Sequence, residues 1–385
     1  MTAAEGAVQG SAGQTEPLRV GVLGAGMIAT TGYGVLPNLS WIGDKVTVVA
    51  IADPVVERAR EAAKEFAIPE VYATLDAMLD ESELDAVINL TPITFHGDTS
   101  RKILQAGKHL ATEKPIATTM EDADAIVESA AAQGLTVVCS PPDALFPTYQ
   151  EARRLIDEDA IGKVAFARVR SSHAGPAGSL HGWPLDPTWF YQQGSGPLFD
   201  MGVYGIHEIT AVLGPAERVV GFTGITESTR VVRGGPFAGK TIDVTADDNA
   251  LFMLDFGGAT FAVVDGTYNV HASKSPKLEI FGRKGALNIR DGHGTGDDPL
   301  EVYRTDALPG LDGWVTPRGW HQLRRGQAWH DKLQRAILLD HLADCVRSGE
   351  RPVLSAEHGR HALEIMLKVA ESSRSGQALD LTTTF

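Results

Sequence analysis

The sequence predicts an α/β chain in two parts: a parallel sheet covered by helices over residues 18–141, and an α+β unit built on a large, mostly antiparallel open sheet over residues 142–385. Three observations carry this. Short apolar runs alternate with helical segments as far as Pro141, longer runs that alternate in and out follow it, and 385 residues are too many for one ordinary core. Hydrophobic residues make up 43% of the chain, enough to fill two cores.

Residues 1–17 are small and polar, without the basic start or apolar core of a signal peptide, and are expected to form a disordered tail. In the first part, LRVGVL (18–23), VTVVAI (46–51), AVINL (86–90), KHLAT (108–112) and LTVVC (135–139) read as strands buried on both faces. Between them, residues 54–67 open a helix with Pro54 after Asp53, and residues 120–134 form one that ends at Gly134. In the second part, residues 163–174, 217–228, 247–269 and 277–291 alternate in the manner of antiparallel strands, the last with a hairpin at Arg283 to Gly285. Residues 292–330, rich in Gly, Pro and Trp, are expected to be a long surface loop, and residues 331–375 to be helical.

Charge and cysteine usage exclude several classes of protein. A net charge of −15, with no Lys/Arg cluster, argues against nucleic-acid binding. No run approaches 18 apolar residues, so no membrane span is expected. Cys139 and Cys345 lie far apart and are expected to be free buried thiols in a reducing, cytoplasmic compartment.

Four motifs point to chemistry. Gly24-Ala25-Gly26-Met27-Ile28-Ala29 follows the first strand and leads into a helix: Gly24 allows a tight turn, Gly26 lets a pyrophosphate approach the backbone, and Ala29 permits close helix-to-strand packing. The second strand then ends in Asp53, whose carboxylate suits both ribose hydroxyls and repels a 2′-phosphate, favouring NAD over NADP. This is the fingerprint of a Rossmann dinucleotide-binding domain. Thr91-Pro92 and His96, past a later strand end, would turn under the cofactor, with His96 either touching it or capping the next helix. Glu113-Lys114-Pro115 follows another strand end, where the lysine ammonium would stabilise a developing alkoxide and Glu113 would serve the cofactor side. Finally, Asp200, Tyr204 and His207 have the spacing that shares one helix face, fit to hold a polyol and pass a proton. Trp183, Trp189, Phe190 and Tyr191 are candidates for stacking on a sugar face or an aglycone, or for the core. No metal site is expected.

In this order the motifs resemble the glucose–fructose oxidoreductase / inositol dehydrogenase / rhizopine-catabolism family, Gfo/Idh/MocA, from about Leu18 to Leu381. Further matches are Asp85-Ala86-Val87-Ile88, Gln105-Ala106-Gly107-Lys108-His109 and Gly162-Lys163-Val164. The resemblance implies an NAD(P)-dependent oxidoreductase of sugars, cyclitols or glycosides, with Lys114 catalytic and with dimers or tetramers formed through the open sheet. It also brings two departures. Many relatives read Asp-x-Gly-x-His-x-x-Asp where this chain has Tyr204 and His207, which leaves the base open between them. Tyrosine ordinarily titrates near pH ~10 and histidine near ~6.5, which favours His207 unless Lys114 assists the phenol, and a Lys114–Tyr204–His207 relay is the expectation. The second departure is Pro141-Pro142-Asp143-Ala144-Leu145-Phe146, where relatives commonly carry an arginine shortly before the Phe. Two alternatives stand beside dehydrogenation: a glycosidase that uses NAD transiently, and a non-catalytic sugar sensor.

Overall fold

The computed structural model describes residues 16–290, 300–315, 317 and 320–385, leaving out the side chains of residues 320–324 and 327. The expected tail therefore lies outside the described residues except for Glu16 and Pro17.

Six strands form the first sheet: β1 (Leu18–Leu23), β2 (Val46–Ala52), β3 (Glu70–Tyr72), β4 (Ala86–Asn89), β5 (His109–Thr112) and β6 (Val137–Cys139). Their order is β3-β2-β1-β4-β5-β6, and every pair is parallel. Strand order reverses beside β1, so a crevice opens between the carboxyl ends of β1 and β4, the place where such sheets bind ligands. Five of the strands match the sequence reading. The sixth, β3, is a three-residue edge strand, Glu-Val-Tyr, half-buried throughout and without the continuous apolar run that marks the equally short β6. Helix Met120–Gln133 begins at Thr119, whose side chain accepts from Asp122 N, and ends at Gly134 with φ 65°, the left-handed cap its sequence requires. The segment after the glycine motif is broken, as its own glycines and proline demand: a four-residue helix, Met27–Thr30, and then a 3₁₀ stretch, Leu36–Ile42.

The second sheet has nine strands. They are β7 (Val164–Arg170), β8 (Arg218–Gly224), β11 (Asn249–Asp255), β12 (Phe261–Thr267), β13 (Leu278–Gly282), β14 (Gly285–Ile289), β15 (Leu300–Leu308), β16 (Leu311–Val315) and β17 (Leu379–Asp380); β9 (Thr229–Val231) and β10 (Thr241–Asp243) pair apart from it. The order is β16-β15-β14-β13-β7-β12-β11-β8-β17, antiparallel except where β7 meets β12. Alternation sorts the side chains: Ala250, Phe252, Leu254, Ala262 and Val264 are buried, whereas Leu251, Met253, Phe261, Val263 and Phe222 are exposed on the other face. Helices Val203–Leu213 and Ala356–Ser375 pack on the sheet, and the latter also packs against helix Met120–Gln133, joining both parts of the chain.

Residues 292–330 differ from the expected loop. Residues 291–299, 316, 318 and 319 lie outside the described residues, but the rest form the hairpin β15–β16, with Gly310 at φ 74°, and a helix, Trp320–Leu333. The run LEVYRTDAL alternates only weakly, and pairing with β14 supplies the order that its composition does not. Both cysteines are free and buried. No helix among the described residues is long and apolar enough to cross a membrane.

Candidate active site

The crevice begins at the glycine turn. Gly24 has φ 100°, and a Cβ there would lie 2.8 Å from Leu90 O, so only glycine fits. A Cβ on Gly26 would meet nothing within 4 Å: the backbone faces open space, as a cradle for pyrophosphate must. Asp53 is buried, and its carboxylate accepts from Ala25 N (2.9 Å) and Val55 N (2.8 Å), bracing the turn while each oxygen keeps a second lone pair for a ribose hydroxyl. The residues present therefore fit a dinucleotide.

Farther along, a cleft of about 990 Å³ is lined by Met27, Ile28, Thr91, Pro92, Glu113 and Lys114 on the first-sheet side and by Asp200 and Tyr204 on the other. Lys114 Nζ donates to Asp200 O (2.5 Å) and to Asp200 Oδ1 (3.1 Å), and lies 5.0 Å from the Tyr204 ring centroid. Burial by itself lowers the lysine pKa, but Asp200, Tyr204 and Glu113 outweigh it and leave the ammonium stabilised above its ordinary range. Asp200 Oδ2 accepts from Tyr268 OH (2.8 Å), which fixes the carboxylate from both sides.

Tyr204 OH accepts from Arg335 Nη2 (2.8 Å), and the ring also lies 5.9 Å from Lys277 Nζ. Arg335 further donates to Ser140 Oγ (3.3 Å) and approaches Glu113 Oε1 (3.5 Å). Burial raises the Glu113 pKa, and Arg335 with Lys114 more than reverses this, so Glu113 is held ionised. Arg335 thus brings a guanidinium to the loop ahead of Phe146, where the family resemblance leads one to expect an arginine. Sequence reasoning missed it, because it arrives from a helix 131 positions beyond Tyr204. Tyr268 and His173, stacked on each other with centroids 5.5 Å apart, were missed for the same reason.

Two expectations need correction. His96 is fully buried with both ring nitrogens occupied, Nδ1 on Pro115 O (2.7 Å) and Nε2 on Thr91 O (2.8 Å). Burial lowers its pKa, and a neutral ring has one N–H, which donates to one of these two carbonyls, so His96 is wedged between the strand-end turns at the base of the cleft. His207 does not join Asp200 and Tyr204. Asp200 belongs to a π turn, Leu198–Gly202, with Val203 N donating to Leu198 O, whereas Tyr204 and His207 lie in regular helix, where a three-residue step sets them about 60° apart around the axis. His207 turns into the core beside His358, ring centroids 4.4 Å apart, and burial lowers its pKa to about 3. The Lys114–Tyr204–His207 relay is therefore broken at its last member.

Over the cleft sits a cap made of residues 173–196 and the β9–β10 pair, held by a small core that includes Ala177, Tyr191, Val232, Ile242 and Tyr268. Tyr191 belongs to that core, its hydroxyl accepting from Ala177 N, while Trp183, Trp189 and Phe190 line the cleft.

Comparison with known proteins bears on this arrangement. Residues 18–140 match the model of an oxidoreductase family with an NAD-binding Rossmann fold, and residues 149–288 match the GFO/IDH/MocA C-terminal domain. The chain belongs to the Gfo/Idh/MocA family of oxidoreductases. A scyllo-inositol 2-dehydrogenase (NAD(+)) of Bacillus subtilis (strain 168) is 25% identical over 367 residues, covering 94% of this chain and 96% of that protein. A levoglucosan dehydrogenase of Pseudarthrobacter phenanthrenivorans is 25% identical over 295 residues, 70% of this chain and 73% of that one. Among solved structures, an NAD binding oxidoreductase from Klebsiella pneumoniae superposes with a TM-score of 0.81 at 18% identity, covering 95% of this chain and 99% of its own. The expected fold, a Rossmann domain followed by a mostly antiparallel sheet domain, is that of this Gfo/Idh/MocA protein.

Proposed function

We propose that the protein oxidises a CH–OH carbon of a sugar, cyclitol or glycoside with NAD. The observation that carries this reading is the position of the Lys114 ammonium, between the strand-end turns that would hold the cofactor and the Asp200–Tyr204 pair on the opposite wall. Gly24, Gly26, Met27, Ile28, Asp53, Thr91 and Pro92 hold the dinucleotide. Bound NAD supplies the hydride acceptor.

The protein's own residues do the rest. Lys114 and Asp200 take neighbouring hydroxyls and fix the sugar's orientation, and the lysine charge stabilises the alkoxide that develops as the hydroxyl proton leaves. Tyr204 receives that proton, in place of His207. The cap excludes water, and Trp183, Trp189 and Phe190 lie against the ring face or the substituent of the substrate. The relatives named above are dehydrogenases, which favours net oxidation over transient use of the cofactor.

The exposed apolar face of the nine-stranded sheet is the surface through which copies of the chain associate as dimers or tetramers, and two free thiols accord with a reducing cytoplasm. The test is direct: denature purified protein, assay released nicotinamide, then screen polyols, sugars and glycosides with added NAD for growth of the reduced cofactor's absorbance. NADH accumulating stoichiometrically with a keto product supports the reading. Turnover without net NADH, or no turnover across the screen, defeats it.

A further inference from the structure

Behind Tyr204 lies a group of ionisable side chains that the mechanism above does not use. Asp143, in the short 3₁₀ stretch Pro142–Leu145, and Glu208, in helix Val203–Leu213, are both fully buried. Helix Val203–Leu213 packs against that stretch, which brings the two carboxyls near enough for Asp143 to raise the Glu208 pKa. Lys277 Nζ lies 2.5 Å from Glu208 Oε1; beyond that ion pair, the described residues bring neither carboxyl a hydrogen-bond donor. Two carboxylates side by side in a buried site cannot both stay ionised. One proton would remove the conflict: Glu208 would accept from Lys277 with one oxygen and donate to Asp143 with the other, leaving one negative charge on the pair. Burial together with Asp143 raises the Glu208 pKa to about 7 in spite of Lys277.

The place of this pair is informative. Asp143, Tyr204 and Arg335 all line a second cavity of about 490 Å³, together with His330 and Asp331. Tyr204 and Arg335 also line the substrate cleft, so they form the wall between the two spaces. Asp143, Tyr204, His330, Asp331, Gln334 and Arg335 give this space the several polar partners that water needs. The charged and titratable groups that face the pair among the described residues are Lys277, Tyr33, Tyr204, Arg335, His330 and Asp331.

We propose that Glu208 and Asp143 form a carboxylic acid–carboxylate pair that holds one proton behind Tyr204 and relays the substrate's hydroxyl proton into the second cavity. The inference rests on the dehydrogenase reading for its second half only. As the C–H bond of the alcohol breaks and its electron pair leaves as hydride to NAD, the O–H proton passes to the Tyr204 oxygen. Tyr204 gives its own proton through cavity water to Asp143, and one proton per NADH then reaches solvent.

Infrared difference spectroscopy of the whole protein tests the pair without any substrate. The wild type is expected to show the carbonyl stretch of a protonated carboxyl near neutral pH, titrating away at higher pH, and Glu208→Gln and Asp143→Asn are each expected to remove it. Absence of that band from the wild type, or its survival in Glu208→Gln, overturns the proposal, and the wild-type measurement stands even if a variant fails to fold. With a substrate from the screen, Glu208→Gln should lower kcat about tenfold and shift its pH profile while leaving KM and NAD binding unchanged. An unchanged kcat profile in a folded variant overturns the relay. A screen without NADH formation defeats the dehydrogenase reading and leaves the infrared result to decide the pair.

Discussion

Lys114 and Asp200 stand 86 positions apart, yet the lysine Nζ donates both to the aspartate's carboxylate (3.1 Å) and to its backbone carbonyl (2.5 Å). The contact ties the end of β5 to the π turn in the second part of the chain, and on the function proposed above it marks where a substrate hydroxyl would enter. A hydroxyl that displaces one of these acceptors meets an ammonium already oriented and already desolvated, so little reorganisation is left for the reaction itself.

Lys114→Met keeps the length of the side chain and removes its charge. It is expected to lower kcat by about 10² to 10⁴-fold, the range for losing a positioned acid–base or electrostatic group. Quenching of protein fluorescence by NADH should change little, because the cofactor is held chiefly by the glycine turn and Asp53. A variant with wild-type turnover would remove Lys114 from the chemistry.

Asp53 braces the glycine turn through Ala25 N and Val55 N; with the dinucleotide held as proposed above, its charge would face a 2′-phosphate. Asp53→Asn keeps the shape and removes the charge. Like charges at close range cost several kcal/mol, so the preference for NAD over NADP in kcat/KM should fall at least about tenfold. Steady-state kinetics with both cofactors measure it, and an unchanged ratio would assign cofactor choice to another residue.

Tyr204→Phe deletes the oxygen that Arg335 holds at 2.8 Å. Turnover is expected to fall by about 10² to 10⁴-fold, with KM altered less than kcat, the pattern of a group that acts in the transition state. If Tyr204→Phe keeps full kcat, the proton leaves by another route, and His173, which also lines the cleft, becomes the next residue to replace.

The parts of this molecule legible in its sequence are those fixed by local chemistry. The glycine turn, the capping of helix Met120–Gln133 and the five apolar strands of the first sheet follow from residues that are neighbours in the chain. What escaped notice depends on distant partners. Arg335 reaches Tyr204 from a helix far along the chain, and β15 takes its order from β14. The placement of His207 failed for a different reason: in the regular helix Val203–Leu213 a three-residue step leaves side chains about 60° apart around the axis, enough for Tyr204 to face the cleft while His207 turns into the core.

The exposed face of the second sheet gives a prediction about assembly. Phe222 is 77% exposed and adjoins Leu251 across the β8–β11 pair, with Met253, Phe261 and Val263 continuing the apolar surface. On the assembly proposed above, this apolar surface is the contact between copies of the chain. Phe222→Glu combined with Leu251→Lys should shift the sedimentation coefficient toward that of a monomer without lowering the helix content. A wild type that sediments as a monomer at micromolar concentration would reject this surface as the contact.

His207, His358 and His361 form a buried group whose members are all held neutral. Burial is the main cause in each: it lowers His207 to about 3 and His361 to about 4, and it takes His358 well below its ordinary range. The sign of the stability effect follows. In the unfolded chain each imidazole takes a proton as pH falls below about 6.5, whereas in the folded chain it does not until near 3 to 4, so between these limits the unfolded state binds more protons. Stability is therefore present above about pH 6.5 and is lost as pH falls, at about 1.4 kcal/mol per pH unit for each histidine. Urea unfolding at pH 7, 6 and 5 measures the slope. His207→Gln should make it shallower by the share of one histidine, about 2 kcal/mol between pH 6.5 and 5, while kcat and KM stay within about twofold of the wild type. A variant that keeps the full slope would show that His207 is protonated in the fold, and one that loses turnover would restore it to the proton path from which its position in the core removes it.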